Sequence, residues 1–346
     1  MRAVVFEAEG RVAVAEVADP AIEEAGDAVV RVTTAGICGS DLHFVHHKAP
    51  IDPGEVLGHE AVGIVEEVGA AVRAFAPGDR VVVAFHIACG ACWFCVHGET
   101  ALCEDFRNLG AGAFSGGLAG TQAGYVRIPN ADANLLRVPD GLDDEGAVFL
   151  GDVLTTGYYG ASLAAVRPGE TLAVIGAGPV GICAIGAALA LGADRVVALE
   201  REPDRLALAE AAGAVAIDVT ARNPQMALSR LTDDRGADAV IDAVGHPSAY
   251  ASAIDVVRRG GRVVVLGMYT GEVTDVALGV YWARSLTIRF AGVTPVHAWW
   301  ERARDALLDG RVDPRPLVSH RLDLEEAARG YELFDRHEAT KVLLSP

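Results

Sequence analysis

An apolar run, Thr171–Ile175, leads directly into Gly176-Ala177-Gly178-Pro179-Val180-Gly181, and an alanine-rich stretch over 180–191 follows at once. Glycines in the order G-x-G-x-x-G between a strand and a helix permit a tight turn. They also let a pyrophosphate approach the backbone N–H groups at the helix N-terminus. A second buried run at 195–199 completes a βαβ unit. Glu200 ends it, nineteen residues after Gly181, where an acid can hold both hydroxyls of an adenosine ribose. A chain with this unit is confined to a parallel sheet covered by helices. Gly176, Gly178, Pro179, Val180, Gly181 and Glu200 are therefore expected to bind a dinucleotide. Glu200 repels a 2′-phosphate, which favours NAD over NADP, although Arg201 beside it could contact a phosphate. Arg205 and Lys341 are expected cationic partners of the cofactor.

The rest of the chain falls into two styles. Up to about residue 150, strand-like runs at 28–33, 61–68, 80–84 and 124–128 are separated by glycine, proline and aspartate, so this region leans to β structure. From about 154 the βαβ alternation takes over, with strands at 237–243, 261–267 and 285–291 and a helix near 248–258. After about 292, helices at 299–308 and 324–336 precede a closing strand at 341–344, and this tail is expected to pack back on the first region. The domains predicted are 154–292, a doubly wound Rossmann cofactor domain, and a discontinuous β-rich domain made of 1–153 and 293–346.

Cys89, Cys92, Cys95 and Cys103 follow C-x2-C-x2-C-x7-C, which lets four thiolates converge on one tetrahedral zinc in a lobe over 86–104. An iron–sulfur run of the C-x2-C-x2-C-x3-C-P type differs: here seven residues precede the last cysteine and Glu104 follows it. The polar lobe has too little apolar surface to hold its own shape, so the metal is expected to supply stability rather than chemistry. Net charge of −18 disfavours nucleic acid and anionic membranes. The N-terminus alternates like a strand pair and no run of eighteen uncharged apolar residues occurs, so a soluble cytoplasmic protein is expected.

A second constellation is Gly36-Ile37-Cys38-Gly39-Ser40-Asp41-Leu42-His43, followed by Gly58-His59-Glu60. Cys38 and His59 have the chemistry of zinc ligands, but spacing does not name the third that a catalytic site requires. These two motifs, the four-cysteine lobe, the segment Gly151-Asp152-Val153-Leu154-Thr155-Thr156-Gly157-Tyr158-Tyr159-Gly160 and the glycine turn occur in one order. The set resembles the zinc-dependent medium-chain alcohol dehydrogenases over essentially the whole chain.

That resemblance implies a GroES-like catalytic domain, two zinc ions per chain, NAD, a small alcohol or carbonyl substrate and a homotetramer. It makes Cys38 and His59 ligands of the catalytic zinc, with Glu60 as the adjacent carboxylate that can approach the metal. Asp152 stands where many members have a cysteine ligand, and its segment is similar to the glutathione-independent formaldehyde dehydrogenase-like subgroup, which has an aspartate there. Ser40, then the nicotinamide ribose and then His43 would carry the proton outward, and Asp41 would orient His59. Phe85 would line the substrate pocket and Met268 would lie near the nicotinamide. The implied reaction interconverts an alcohol and its aldehyde or ketone by zinc-alkoxide formation and hydride transfer. Alternatives are formaldehyde or polyol dehydrogenation and, in another class, a non-catalytic NAD(H)-binding zinc protein. Cys183 is expected to pack in its helix, His46 and His47 to lie at the surface, and His86 and His297 show no partner pattern.

Overall fold

A computed structural model describes residues 1–271 and 273–346. Its contacts divide the chain into two units. The first comprises Met1–Asp152, Pro295–Arg302 and Leu317–Pro346, and the second Val153–Thr294 and Ala303–Pro316. The tail predicted to belong wholly with the first region is thus split, because 303–316 packs with the second unit.

In the first unit the hydrophobic alternation of the N-terminus forms a hairpin, Arg2–Ala8 with Arg11–Glu16. The main sheet runs Val318–Asp323, Lys341–Ser345, Ala28–Ile37, Glu60–Val68, Arg80–Val83, Leu135–Arg137, with Tyr125–Ile128 also paired to Ala28–Ile37. Register places the chemistry. Gly36 stands opposite Glu60 on one side and opposite Leu343 on the other, so residues near 38, 60 and 341 share one end of the sheet. Aliphatic side chains such as Val30, Ile37, Leu57, Val83 and Ile128 fill the core beneath.

In the second unit six parallel strands lie in the order Val215–Asp218, Arg195–Glu200, Thr171–Ile175, Ala237–Asp242, Val257–Val265, Thr287–Phe290. This is the doubly wound 3-2-1-4-5-6 order of dinucleotide-binding sheets. The central strands Thr171–Ile175 and Ala237–Asp242 are buried at every residue, as strands covered on both faces must be. The predicted helix near 248–258 ends at Val256, and the next strand starts at Val257, earlier than expected. The cause is tertiary: Val257 pairs with Ala237 before a register shift, which pulls this segment into the sheet. The second predicted tail helix begins as a 3-10 turn, Leu324–Glu326, and becomes α-helical over Ala327–Asp335. Among the described residues no helix is long and apolar enough to cross a membrane.

Candidate active site

Cys38 follows the strand Ala28–Ile37, His59 precedes Glu60–Val68, and Asp152 follows the 3-10 turn Val148–Gly151. Their ligand atoms, with one from Glu60, all lie within 4.8 Å of one another. Asp152 Oδ2 is 3.9 Å from Cys38 Sγ and 3.4 Å from His59 Nε2. Ser40 occupies the N-cap position of the helix Asp41–Val45 but makes no capping bond. Its hydroxyl instead donates to Cys38 Sγ at 3.3 Å and lies 3.2 Å from His59 Nε2. His43 is half-buried one turn further on, its amide bonded to the Ser40 carbonyl.

Asp41 decides which nitrogen of His59 faces the cluster. Its Oδ1 lies 2.9 Å from His59 Nδ1, which leaves Nε2 toward Asp152 and Ser40. Asp41 Oδ2 accepts from the Cys38 amide at 3.0 Å and from Gln122 Nε2 at 3.3 Å. Gln122 is held in turn by donating to the Gly36 carbonyl and accepting from the Tyr331 hydroxyl at 2.8 Å. This outer layer fixes the imidazole as metal-site carboxylates commonly do. Sequence reasoning finds Asp41 but misses Gln122 and Tyr331, which carry no local motif.

Burial works to lower the His59 pKa, but the charge of Asp41 and bonds to Asp152, Asp41 and Cys38 raise it well above its usual value. Burial, followed by the charge of Glu60, pushes the Cys38 thiol up. A thiol, an imidazole and carboxylates crowded together form a donor set whose charge a divalent cation balances. Glu60 adds a further mark: among the described residues its buried Oε1 has no hydrogen-bond partner, while Oε2 is bonded to Lys341 Nζ. These residues fit a zinc ion.

The four lobe cysteines are free of disulfides and draw together. Cys92 Sγ lies 3.5 Å from Cys95 Sγ and 4.0 Å from Cys103 Sγ, and Cys89 Sγ lies 3.9 Å from Cys95 Sγ. Zinc–sulfur bonds of about 2.3 Å give a tetrahedral edge of about 3.8 Å, so the spacing fits a four-thiolate metal. Backbone N–H groups of Cys89, Cys92 and Asp105 point at these sulfurs, at 3.2 to 3.3 Å. Such donors, from Glu104 and Cys95, bring the Cys92 thiol down to about 6, while burial and neighbouring thiols push Cys95 up to about 12.

In the second unit Gly176 takes a φ of +84°, and a Cβ on Gly181 would sit 2.0 Å from the Gly176 carbonyl oxygen. Only glycine closes this turn. Glu200 braces it: Oε2 accepts the Ala177 N–H at 2.7 Å, and Oε1 accepts those of Arg201 and Glu202 at 2.6 and 3.1 Å. Arg205 Nη1 lies 3.9 Å from where a Gly178 Cβ would stand, so a cation flanks the glycine turn. Met268 is 42% exposed just beyond Val257–Val265. Gly181→Ala should cost about 1–3 kcal/mol through overpacking. Dinucleotide titration by fluorescence would read this as weakened affinity, and an unchanged Kd would refute the role given to the turn.

Residues 24–140 match the alcohol dehydrogenase GroES-like domain and residues 179–307 the zinc-binding dehydrogenase family. A zinc-type alcohol dehydrogenase-like protein of Bacillus subtilis (strain 168) is 36% identical, with 100% of each chain covered. This chain belongs to the zinc-dependent medium-chain alcohol dehydrogenase family. The solved alcohol dehydrogenase TADH from Thermus sp. ATN1 matches the dehydrogenase with a TM-score of 0.97 at 46% identity, 100% of each chain being covered. A glutathione-independent formaldehyde dehydrogenase of Pseudomonas aeruginosa (strain LESB58) is 31% identical, covering 100% of this chain and 97% of that one. The dehydrogenase is thus an enzyme that interconverts an alcohol and its aldehyde or ketone with a nicotinamide cofactor.

Lys341, expected as a cationic partner of the cofactor, is fully buried, and its ammonium is bonded to Glu60. The closing strand's pairing with Ala28–Ile37 turns it inward, which no local pattern around residue 341 reveals. Burial opposes its charge, but the negative charges of Glu60 and Cys38 raise its pKa.

Proposed function

We propose that this dehydrogenase uses NAD and a zinc ion held by Cys38, His59 and Asp152 to oxidise primary or secondary alcohols reversibly. The observation that carries the reading is the convergence of Cys38 Sγ, His59 Nε2 and Asp152 Oδ2, with the Ser40 hydroxyl against the first two. When bound, zinc supplies Lewis-acid polarisation of the substrate oxygen and NAD accepts the hydride. Asp41 holds the His59 ring so that Nε2, not Nδ1, serves as donor. Ser40 Oγ accepts the alcohol proton as it releases its own, and His43, half-buried one helical turn on, is the group that passes a proton to solvent. Glu60 Oε1 is a further carboxylate oxygen that can share the ion as ligands exchange. Cys89, Cys92, Cys95 and Cys103 hold a second zinc that shapes the lobe and takes no part in the reaction.

Glu200 supports NAD, since its carboxylate at the strand end repels a 2′-phosphate. Glu200→Ala should reduce the NAD-over-NADP preference in kcat/KM by about 100-fold, because like-charge repulsion costs several kcal/mol. An unchanged ratio would remove Glu200 from that role. The Pseudomonas formaldehyde dehydrogenase aligns over 392 positions against 346 residues here, so this chain lacks segments of that relative.

A homo-oligomer built on two-fold pairs fits the exposed edge of the second unit. The strand Thr287–Phe290 ends its sheet, and Phe290, Trp282 and Leu278 are 69%, 84% and 74% exposed. A second copy pairing edge to edge about a two-fold axis would cover such a strand.

The test is a substrate panel followed at the NADH absorbance, with NADP in parallel. Fastest turnover is expected on simple primary or secondary alcohols with NAD. Faster turnover of sugar alcohols, or of formaldehyde without a thiol cofactor, would replace this substrate class. NAD binding with two zinc ions per chain and no turnover on any substrate would make the protein a non-catalytic binder.

A further inference from the structure

The segment that leads into the four-cysteine lobe is held by one fully buried side chain, Asn134. Asn134 Oδ1 accepts the Ala88 N–H at 2.9 Å, and the two hydrogens of Nδ2 are shared among the carbonyls of Ala88, Pro129 and Asn130 at 2.9, 3.0 and 3.1 Å. Its own carbonyl accepts from the Ala84 amide at 3.1 Å. An amide N–H can only donate, so the atom facing Ala88 N must be the oxygen, and the orientation of the side-chain amide is fixed.

A proton direction follows. His297 Nε2 lies 2.9 Å from that same Oδ1 and therefore donates to it. In a neutral imidazole Nδ1 then accepts, and the Thr100 hydroxyl 2.8 Å away donates. Burial brings the His297 pKa down to about 4, which keeps the ring neutral at ordinary pH. His86, fully buried, packs edge-on against His297 with 4.7 Å between centroids. Ala88 immediately precedes Cys89, and Thr100 lies three residues before Cys103. The chain Thr100→His297→Asn134→Ala88 therefore ties both ends of the lobe to one buried amide.

We propose that Thr100, His297 and Asn134 form a clasp that sets how slowly the lobe gives up its metal. This rests on reading the four cysteines as a metal site. An ion leaves a four-thiolate cage only after cysteines part, and here they part by local opening of a segment pinned at both ends. The three are positioning residues that touch neither metal nor substrate.

The test measures transfer of zinc to a coloured chelator from protein carrying Asp152→Ala, in which the lobe ion is the one that remains. Thr100→Val keeps the shape and deletes only the hydroxyl. It should speed release about 10–100-fold, the range in which outer partners tune metal affinity. Thr100→Ser, which keeps the hydroxyl, should return the rate toward the starting value, a rescue that a purely packing role would not produce. Far-UV circular dichroism of each loaded variant checks that the fold is intact. Equal release rates from the protein with Thr100 intact and from its Thr100→Val and Thr100→Ser variants would overturn the clasp. Absence of any bound ion in the Asp152→Ala protein would instead overturn the metal reading beneath it.

Discussion

Asp152→Ala should remove one zinc ion per chain and lower kcat/KM on the best alcohol by more than about 100-fold. Loss of an outer partner of a metal ligand already costs roughly 10–100-fold, and Asp152 is assigned to the metal directly. Its Oδ2 lies 3.9 Å from Cys38 Sγ and 3.4 Å from His59 Nε2, so among the described residues alanine leaves a thiolate and an imidazole with Glu60 to complete the set. Asp152→Cys supplies the ligand commoner in the family and should restore both metal and part of the rate. Metal analysis with steady-state kinetics reads both quantities. Two retained ions and undiminished turnover in Asp152→Ala would end the ligand assignment.

Lys341→Met should strongly destabilise the first unit. Both members of the Lys341–Glu60 pair are 0% exposed, and the methionine removes the cation while leaving the carboxylate buried. Breaking such a pair costs about 3–5 kcal/mol, whereas replacing both charges together is often close to neutral. Lys341→Met/Glu60→Gln should therefore recover much of the loss. Gly36 belongs to the same arrangement, since a Cβ there would come within 2.4 Å of Glu60 Oε2 and 3.1 Å of Lys341 Nζ. Urea unfolding of the single and double variants gives the comparison. A single variant as stable as the parent would show that the pair does not hold this end of the sheet.

These residues also mark where the sequence can be read and where it cannot. The strand–glycine–helix turn and the four cysteines are local patterns, in which spacing along the chain nearly equals arrangement in space. Cys38 and His59 stand out by residue type beside glycines. Asp152 becomes a candidate only by resemblance, because nothing local to it distinguishes a ligand from a polar residue at a turn. Sequence reasoning misses the Lys341–Glu60 pair, Gln122 and Tyr331, since their partners depend on how the strand Lys341–Ser345 registers against Ala28–Ile37 and on contacts across 209 and 281 positions. His297 escapes it for the same reason: Asn134 and Thr100 lie 163 and 197 residues away. The strand Val257–Val265 begins inside the predicted helix because pairing with Ala237 outweighs local helical preference.

Removing the metals stepwise with a chelator while following NADH formation addresses the central claim most directly. The account predicts that turnover vanishes with loss of one zinc ion per chain, the one assigned to Cys38, His59 and Asp152, and returns when one equivalent is added back. Undiminished turnover in protein freed of both ions would contradict it.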